Sequence, residues 1–157
     1  MKRFISERGQ SLVELGVSLL ILLYLLSGAA EFGVLFFQFV QLRDAAQEGA
    51  LYGSMNPYVD ANGNGAFNAG ELVNQAGIES RVRAASSSPI NLADTSKVNV
   101  AATSSDGSGL FCEGHGLQVT VSFTHHIFMP FMPQLLGRTD IPLSATVVDT
   151  ILSPICP

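Results

Sequence analysis

The sequence predicts an α+β fold, with a long N-terminal hydrophobic helix, a small antiparallel β-sheet and a second helix. Three observations predict it: an apolar run without proline near the N-terminus, a later segment with helical spacing, and C-terminal segments that alternate apolar and polar residues. The chain has 157 residues, of which 47% are hydrophobic and 13% charged. The length is sufficient for one domain of ordinary size. The composition is too apolar for a disordered protein.

The first helix is predicted from about Gln10 to about Gly53. Uncharged residues run from Leu15 to Ala30, Glu31 interrupts them, and apolar residues continue to Leu42. A bilayer core requires about 20 apolar residues in a helix, so this segment is long enough to span a membrane. Its second half is amphipathic, and we expect it to continue beyond the membrane.

The charge distribution supports membrane insertion. Lys2, Arg3 and Arg8 precede the apolar run and are opposed only by Glu7, whereas the whole chain has a net charge of −5. A basic head before an apolar segment predicts a single-pass protein whose body lies outside the cytoplasm. The acidic balance also argues against nucleic-acid binding, because no basic face is available to neutralise phosphates.

Glu14 is costly near the end of an apolar span unless it is solvated or paired. It either lies in the headgroup region or pairs with the new α-ammonium of a neighbouring subunit after cleavage between Gly9 and Gln10. A second processing site is possible at the small residues 27–30, which are typical of a signal-peptidase site. We favour close helix–helix packing at Gly28–Ala30, in the membrane or in a filament core, instead.

Several segments carry a resemblance to a known family. RGQSLVE at residues 8–14, followed by an apolar helix, resembles the leader of type IV pilins, which a prepilin peptidase cuts after the glycine. Further segments resemble TadE-like proteins, which are pilin-like or pseudopilin components of tight-adherence (Flp) pili. They are EFG at 31–33, LRDAAQEGALYG at 42–53, VTVSF at 119–123, FMPFMPQLLG at 128–137 and LSATV at 143–147.

The resemblance implies a pilin-like structural subunit, active in adhesion or secretion, rather than an enzyme. It implies a leader at residues 1–9, a transmembrane and assembly helix at 10–54, and an extracytoplasmic head at 55–157. The implied partners are a prepilin peptidase, a platform protein, an assembly ATPase, and its own copies or other pilins. The protein would reside in the inner membrane, or in an extracellular pilus once assembled. The alternative is a membrane-anchored calcium-binding module that never polymerises.

Residues 60–71 fit the calcium-loop pattern D-x-[DN]-x-[DN]-G-x5-E without a gap. Gly65 permits the sharp turn, and Phe67 is the expected apolar anchor beneath the loop. The expected ligands are Asp60, Asn62, Asn64, Ala66 through its carbonyl, Asn68 and Glu71. With only two charged ligands, the site is expected to be weak and structural. The alternative is a metal-free surface turn rich in Gly and Asn.

The only two cysteines, Cys112 and Cys156, predict a disulfide in an exported chain. The alternative is a zinc site that combines these cysteines with His115, His125 or His126.

The remaining elements are a helix from Glu71 to about Ser86 and three strands, at 98–102, 117–124 and 143–147. The apolar loop, residues 127–136, is either an interface or buried within the subunit. No nucleophile motif or phosphate-binding loop is present, so we expect no enzyme, and an exported hydrolase is a third hypothesis without a site.

Overall fold

The computed structural model describes residues 6–68 and 70–156, with side chains described from residue 9 onward. Its elements are α1 (Ser6–Met55), α2 (Gln75–Ala84), β1 (Val98–Ser104), β2 (Gly116–His126), α3 (Met132–Leu136) and β3 (Asp140–Thr150). The strands form one three-stranded sheet in the order β1-β2-β3. The predicted α+β fold, with a long N-terminal helix and a small antiparallel sheet, is confirmed.

The chain divides into two compact units, and α1 contributes to both. One unit comprises the helix up to Leu35 together with His126–Ile141, and the other comprises Phe36–His125 together with the chain from Pro142 onward. The proposed division into residues 1–9, 10–54 and 55–157 concerns processing and membrane insertion, and it stays a prediction. Residues 1–5 of the predicted leader lie outside the described residues.

Helix α1 is uninterrupted because no proline precedes Pro57 and most of its residues favour a helix. Its first half is apolar on all sides, and the large side chains from Leu12 to Leu26 are exposed. The stretch Gly9–Met55 is long and apolar enough to cross a membrane, with a mean hydropathy of 2.1 in its most apolar window. A helix that exposes apolar residues all round requires a lipid or protein environment.

The second half of α1 packs through small side chains. The hydrophobic core of the protein includes four residues of α1, namely Leu42, Ala45, Ala46 and Ala50. Gly49 and Gly53 lie on the same face of the helix. A Cβ atom at Gly49 would lie 2.5 Å from Val82 Cγ2 in α2, and one at Gly53 would clash with Leu117 in β2. The absence of side chains at these two positions therefore lets the helix backbone approach both neighbours closely.

The sheet alternates between buried and exposed residues as the sequence predicts. β1 pairs antiparallel with β2, with Val100 opposite Val121. The buried residues are Val98, Val100 and Ala102 in β1 and Leu117, Val119 and Val121 in β2. All three predicted strands are present, and each extends beyond its predicted bounds.

The predicted start of the second helix at Glu71 is wrong, because α2 begins at Gln75. Val73 instead forms an isolated antiparallel bridge with Tyr58. The Asn74 side chain then accepts a hydrogen bond from the Gly77 N–H at 3.1 Å and caps the new helix.

Two glutamine side chains bind backbone groups with both ends of their amides. Gln41 donates to the Ile90 carbonyl at 2.7 Å and accepts from the Ile90 N–H at 2.8 Å. Gln75 donates to the Val100 carbonyl at 2.8 Å and accepts from the Ala102 N–H at 2.9 Å on the outer side of β1. Each amide thus satisfies one donor and one acceptor that have no strand partner there.

We predict that Gly49→Ala lowers the stability of the protein. Overpacking against buried Val82 costs about 1–3 kcal/mol, which outweighs the roughly 1 kcal/mol that alanine gains over glycine in a helix. The measurement is thermal unfolding of the full chain in detergent. Gly33→Ala is the matched control, because nothing lies within 4 Å of its Cβ, and its melting temperature should stay the same or rise. An equal rise in both variants would contradict the close approach at Gly49.

Candidate functional site

The predicted cleavage residues Gly9 and Gln10 lie within α1 and are exposed. The Gln10 side-chain amide donates to Glu14 Oε1 at 3.4 Å, one helical turn away. Glu14 is exposed as well, so both its solvated state and its pairing with another subunit are sterically open. The roles of Gly9, Gln10 and Glu14 stay predictions.

Glu31, which interrupts the apolar run, is only 2% exposed. Its Oε2 atom accepts a hydrogen bond from the Met129 N–H at 3.0 Å. Met129 belongs to the apolar loop, which lies 98 residues further along the chain. The carboxylate is therefore a structural contact between the helix and this loop, and no pattern in the sequence predicts that pairing.

The apolar loop contacts α1 along one face, on residues that precede Glu31. Ser27 Oγ donates to the Pro130 carbonyl at 3.0 Å, and the rings of Tyr24 and Phe131 lie 5.4 Å apart between centroids. A Cβ atom at Gly28 would lie 3.8 Å from the Met132 sulfur. Ser27 and Gly28 are thus a packing site for this segment, which includes the start of α3, and packing of the small residues against a helix of another subunit stays a prediction.

The sequence leaves open whether the apolar loop is an interface or is buried within the subunit, and the structure shows some of its side chains buried and others exposed. Ile127 and Met132 are buried and Met129 is half-buried, whereas the side chains of Phe128, Phe131, Leu135 and Leu136 remain exposed. Phe131 has a positive φ of 73° where the chain turns into α3, a conformation uncommon for an aromatic residue. The loop is therefore partly packed and partly an exposed apolar surface.

The calcium-type loop is organised around Asp60. Its carboxylate accepts hydrogen bonds from the backbone N–H groups of Gly65 at 2.7 Å, Gly63 at 2.7 Å and Asn64 at 3.2 Å. These donors, Gly65 foremost, hold the pKa of the Asp60 carboxyl below its usual range. Gly65 has a positive φ of 71°, so the turn uses the glycine at the position where the motif requires one.

The other end of the loop folds back onto the same backbone. Glu71 accepts from the Asn68 N–H at 2.8 Å and from the Ala61 N–H at 3.3 Å. Asn62 Oδ1 and Asn64 Oδ1 accept from backbone N–H groups two residues ahead. The Glu71 oxygens and Asn62 Oδ1 each retain a second lone pair for a cation, and Asn64 Oδ1 would gain one if the Asn68 amide turned away, so the oxygen set fits calcium.

Asn68 departs from its expected ligand role. Its Nδ2 atom donates to the Ala66 carbonyl at 2.8 Å and to Asn64 Oδ1 at 3.3 Å. The amide thus presents a donor to two of the expected ligand oxygens. For Asn68 to act as a ligand, directly or through water, this amide must rotate.

The base of the loop is fixed by packing and by backbone pairing. Phe67 is 2% exposed, as its predicted role as an apolar anchor requires, and its ring meets Tyr58 and Phe111 edge to face. The Val59 N–H donates to the Leu72 carbonyl at 3.0 Å and brings the two ends of the loop together.

The predicted disulfide between Cys112 and Cys156 is present. In the chain-entropy model, a loop of this length contributes about 4 kcal/mol by restricting the unfolded chain. The Glu113 N–H also donates to the Pro154 carbonyl at 2.7 Å, so the bond and the backbone tie the same two segments.

The residues of the zinc alternative meet only in part. His115 lies with Cys112 and Cys156, and one ligand atom from each of the three falls within 4.8 Å of the others. Both sulfur atoms are used by the disulfide, which leaves His115 as the available ligand, and its Nδ1 atom lies 2.9 Å from Asp106 Oδ2. His125 and His126 are not part of this cluster.

Comparison with protein families supports the resemblance at the N-terminus. The family model described as TadE-like protein matches residues 9–51. The match begins at the glycine of the predicted cleavage site and includes both Glu31 and Gly49. It does not reach the C-terminal segments that also resemble the family. Neither the curated proteins nor the solved structures gave a significant match to this chain.

Proposed function

We propose that this chain is a pilin-like structural subunit of a tight-adherence pilus system. The match of residues 9–51 to TadE-like proteins carries the proposal. The exposed apolar half of α1 supports it, because such a helix fits a membrane anchor before assembly. The remainder, with its disulfide, would form an extracytoplasmic head.

Assembly would proceed through the exposed apolar stripe of α1, from Leu12 to Val40. On leaving the bilayer, this stripe must be covered, and copies of the same helix or those of other pilins provide matching apolar surfaces. A prepilin peptidase, a platform protein and an assembly ATPase would be its partners, and adhesion or secretion the outcome. This role requires no catalytic residues, so we propose that the protein is not an enzyme.

We also propose that residues 60–71 hold a structural calcium ion. Support comes from the carboxylates of Asp60 and Glu71, which both turn into one loop whose backbone they already order. An affinity in the micromolar to millimolar range suits an extracytoplasmic module with two charged ligands. The ion would tighten the connection between α1 and α2.

We predict that calcium raises the melting temperature of the full chain in detergent. A ligand present at 100 times its Kd stabilises a protein by about 2.7 kcal/mol, which corresponds to about 5–10 °C for a chain of this size. Asp60→Asn should abolish the rise, because it removes a charged ligand. Asp94→Asn is the matched control: Asp94 also orders its own turn through Ser96 but lies outside the loop. An unchanged rise in Asp60→Asn would contradict the site.

A non-polymerising, membrane-anchored calcium-binding module is the second candidate, and one observation favours it. The apolar loop covers the face of α1 that carries Tyr24, Ser27 and Gly28. In a filament core, this face would be unavailable to neighbouring helices unless the loop moved away.

The N-terminal residue of the protein isolated from its native envelope or sheared surface fraction separates the two candidates. We predict a start at Gln10, because RGQSLVE resembles a prepilin leader. A start at Met1 would instead favour the retained anchor. A start near Ala30 or Glu31 would mean that the apolar helix is a discarded signal, and the pilin proposal would fail.

We predict that Glu14→Ala inserts into the membrane but gives few filaments. Once cleavage makes Gln10 the first residue, the Glu14 carboxylate of one subunit would pair with the α-ammonium of Gln10 in a neighbouring subunit. Alanine at position 14 has no charge and cannot form this pair. The measurement is the yield of sheared filaments against the amount of protein in the membrane fraction. Ser18→Ala, an exposed polar position one turn further along, is the control and should assemble normally. Normal filament yield from Glu14→Ala would remove the pairing role.

A further inference from the structure

We propose that the apolar loop is a membrane-surface element, which seats Phe128, Phe131, Leu135 and Leu136 at the boundary between the lipid headgroups and the acyl chains. The inference rests on the proposed anchoring of α1 in a bilayer, and it names lipid as the partner of this loop. The argument depends on where the loop is attached, how long the uncharged helix is, and which side chains the loop exposes.

The attachment of the loop fixes its level along the helix. Ser27 Oγ binds the Pro130 carbonyl, and the Met129 N–H binds Glu31 Oε2. Helix and loop belong to the same compact unit, so these contacts define one local arrangement. The loop therefore lies beside the stretch of α1 around residues 24–31.

That stretch is where the helix would leave the hydrocarbon. The uncharged run from Leu15 to Ala30 is about 24 Å long, whereas a bilayer core is about 30 Å thick. Counted from Leu12, with Glu14 at its outer end, the stretch to Ala30 is about 28 Å long and spans the core up to the neighbourhood of Glu31. Because the loop is bound to α1 at this level, it lies at the membrane boundary.

The buried carboxylate of Glu31 explains why the apolar loop packs at this level of α1. An ionised carboxylate next to hydrocarbon is costly unless a partner replaces water. This side chain is 2% exposed, and Met129 supplies one of its hydrogen-bond donors from the loop backbone. The loop thus shields the carboxylate that would otherwise face the lipid.

The uncharged and apolar side chains of the loop suit the boundary between the lipid headgroups and the acyl chains. From Ile127 to Gly137 it has no charged side chain, and charge returns with Arg138 and Asp140. Four of its large apolar side chains are exposed beside a helix whose apolar residues are also exposed. This arrangement is continuous with the lipid-facing surface of the span, and Phe and Leu are typical of the apolar face of segments that lie in such interfaces. Lipid is thus the occupant that accounts for both surfaces together.

Single tryptophans test this directly, because the chain contains none. The full chain is reconstituted into vesicles of phosphatidylcholine and phosphatidylglycerol that carry brominated acyl chains. Leu135→Trp reports on the loop and Leu20→Trp on the span. Leu72→Trp, at a position 75% exposed in the other compact unit, reports on the head. Circular dichroism verifies that each variant retains the helix content of the wild type.

We predict that bromine quenches Leu135→Trp to an extent comparable with Leu20→Trp, most strongly when the bromine lies near the headgroup, while Leu72→Trp is unaffected. Quenching of Leu20→Trp without Leu135→Trp would overturn the inference and leave membrane anchoring intact. If Leu20→Trp is not quenched either, the anchoring itself fails. A blue shift of Leu135→Trp that requires a high protein-to-lipid ratio, without quenching, would assign the loop to a second copy of the chain and overturn the lipid assignment.

Discussion

The rest of the structure depends on how closely the backbone of α1 approaches its neighbours. At Gly49 and Gly53 the side chains of Val82 in α2 and Leu117 in β2 pack directly against the backbone of the helix. One turn earlier, Ala45 and Ala46 continue the same narrow face. The first half of the same helix differs, because its large leucine side chains are exposed. A single uninterrupted helix thus has a face of small residues that packs in the protein core and, nearer its N-terminus, a surface of large exposed apolar side chains.

Polar residues of α1 and α2 act by completing hydrogen bonds of distant backbone segments. Glu31 binds the backbone of the apolar loop, Gln41 binds both backbone groups of Ile90, and Gln75 binds β1. Each bond satisfies a backbone group that has no partner in a helix or ladder. These three side chains therefore specify which segments meet, while apolar burial supplies most of the stabilisation.

The sequence was informative where the signal is local and uninformative where it depends on tertiary contacts. The absence of proline before Pro57 was enough to predict α1, and strict alternation was enough to predict β2. The start of α2 was missed because the bridge between Tyr58 and Val73 is not local. The disulfide followed from the number of cysteines and the expectation that the chain is exported. The partner of Glu31 and the paired backbone hydrogen bonds of Gln41 and Gln75 could not be predicted. These side chains bind backbone groups, which are the same whatever the residue type of the partner.

The amide of Gln75 also limits how the head can associate. β1 is an edge strand, and unpaired edges recruit strands from other chains. Here the Val100 carbonyl and the Ala102 N–H are already occupied, so an incoming strand would have to break two hydrogen bonds before it could form its own. Edge-to-edge aggregation along this stretch is thereby discouraged. Copies of the chain that are crowded together can then keep their β1 edges unpaired, and any association between them has to use another surface.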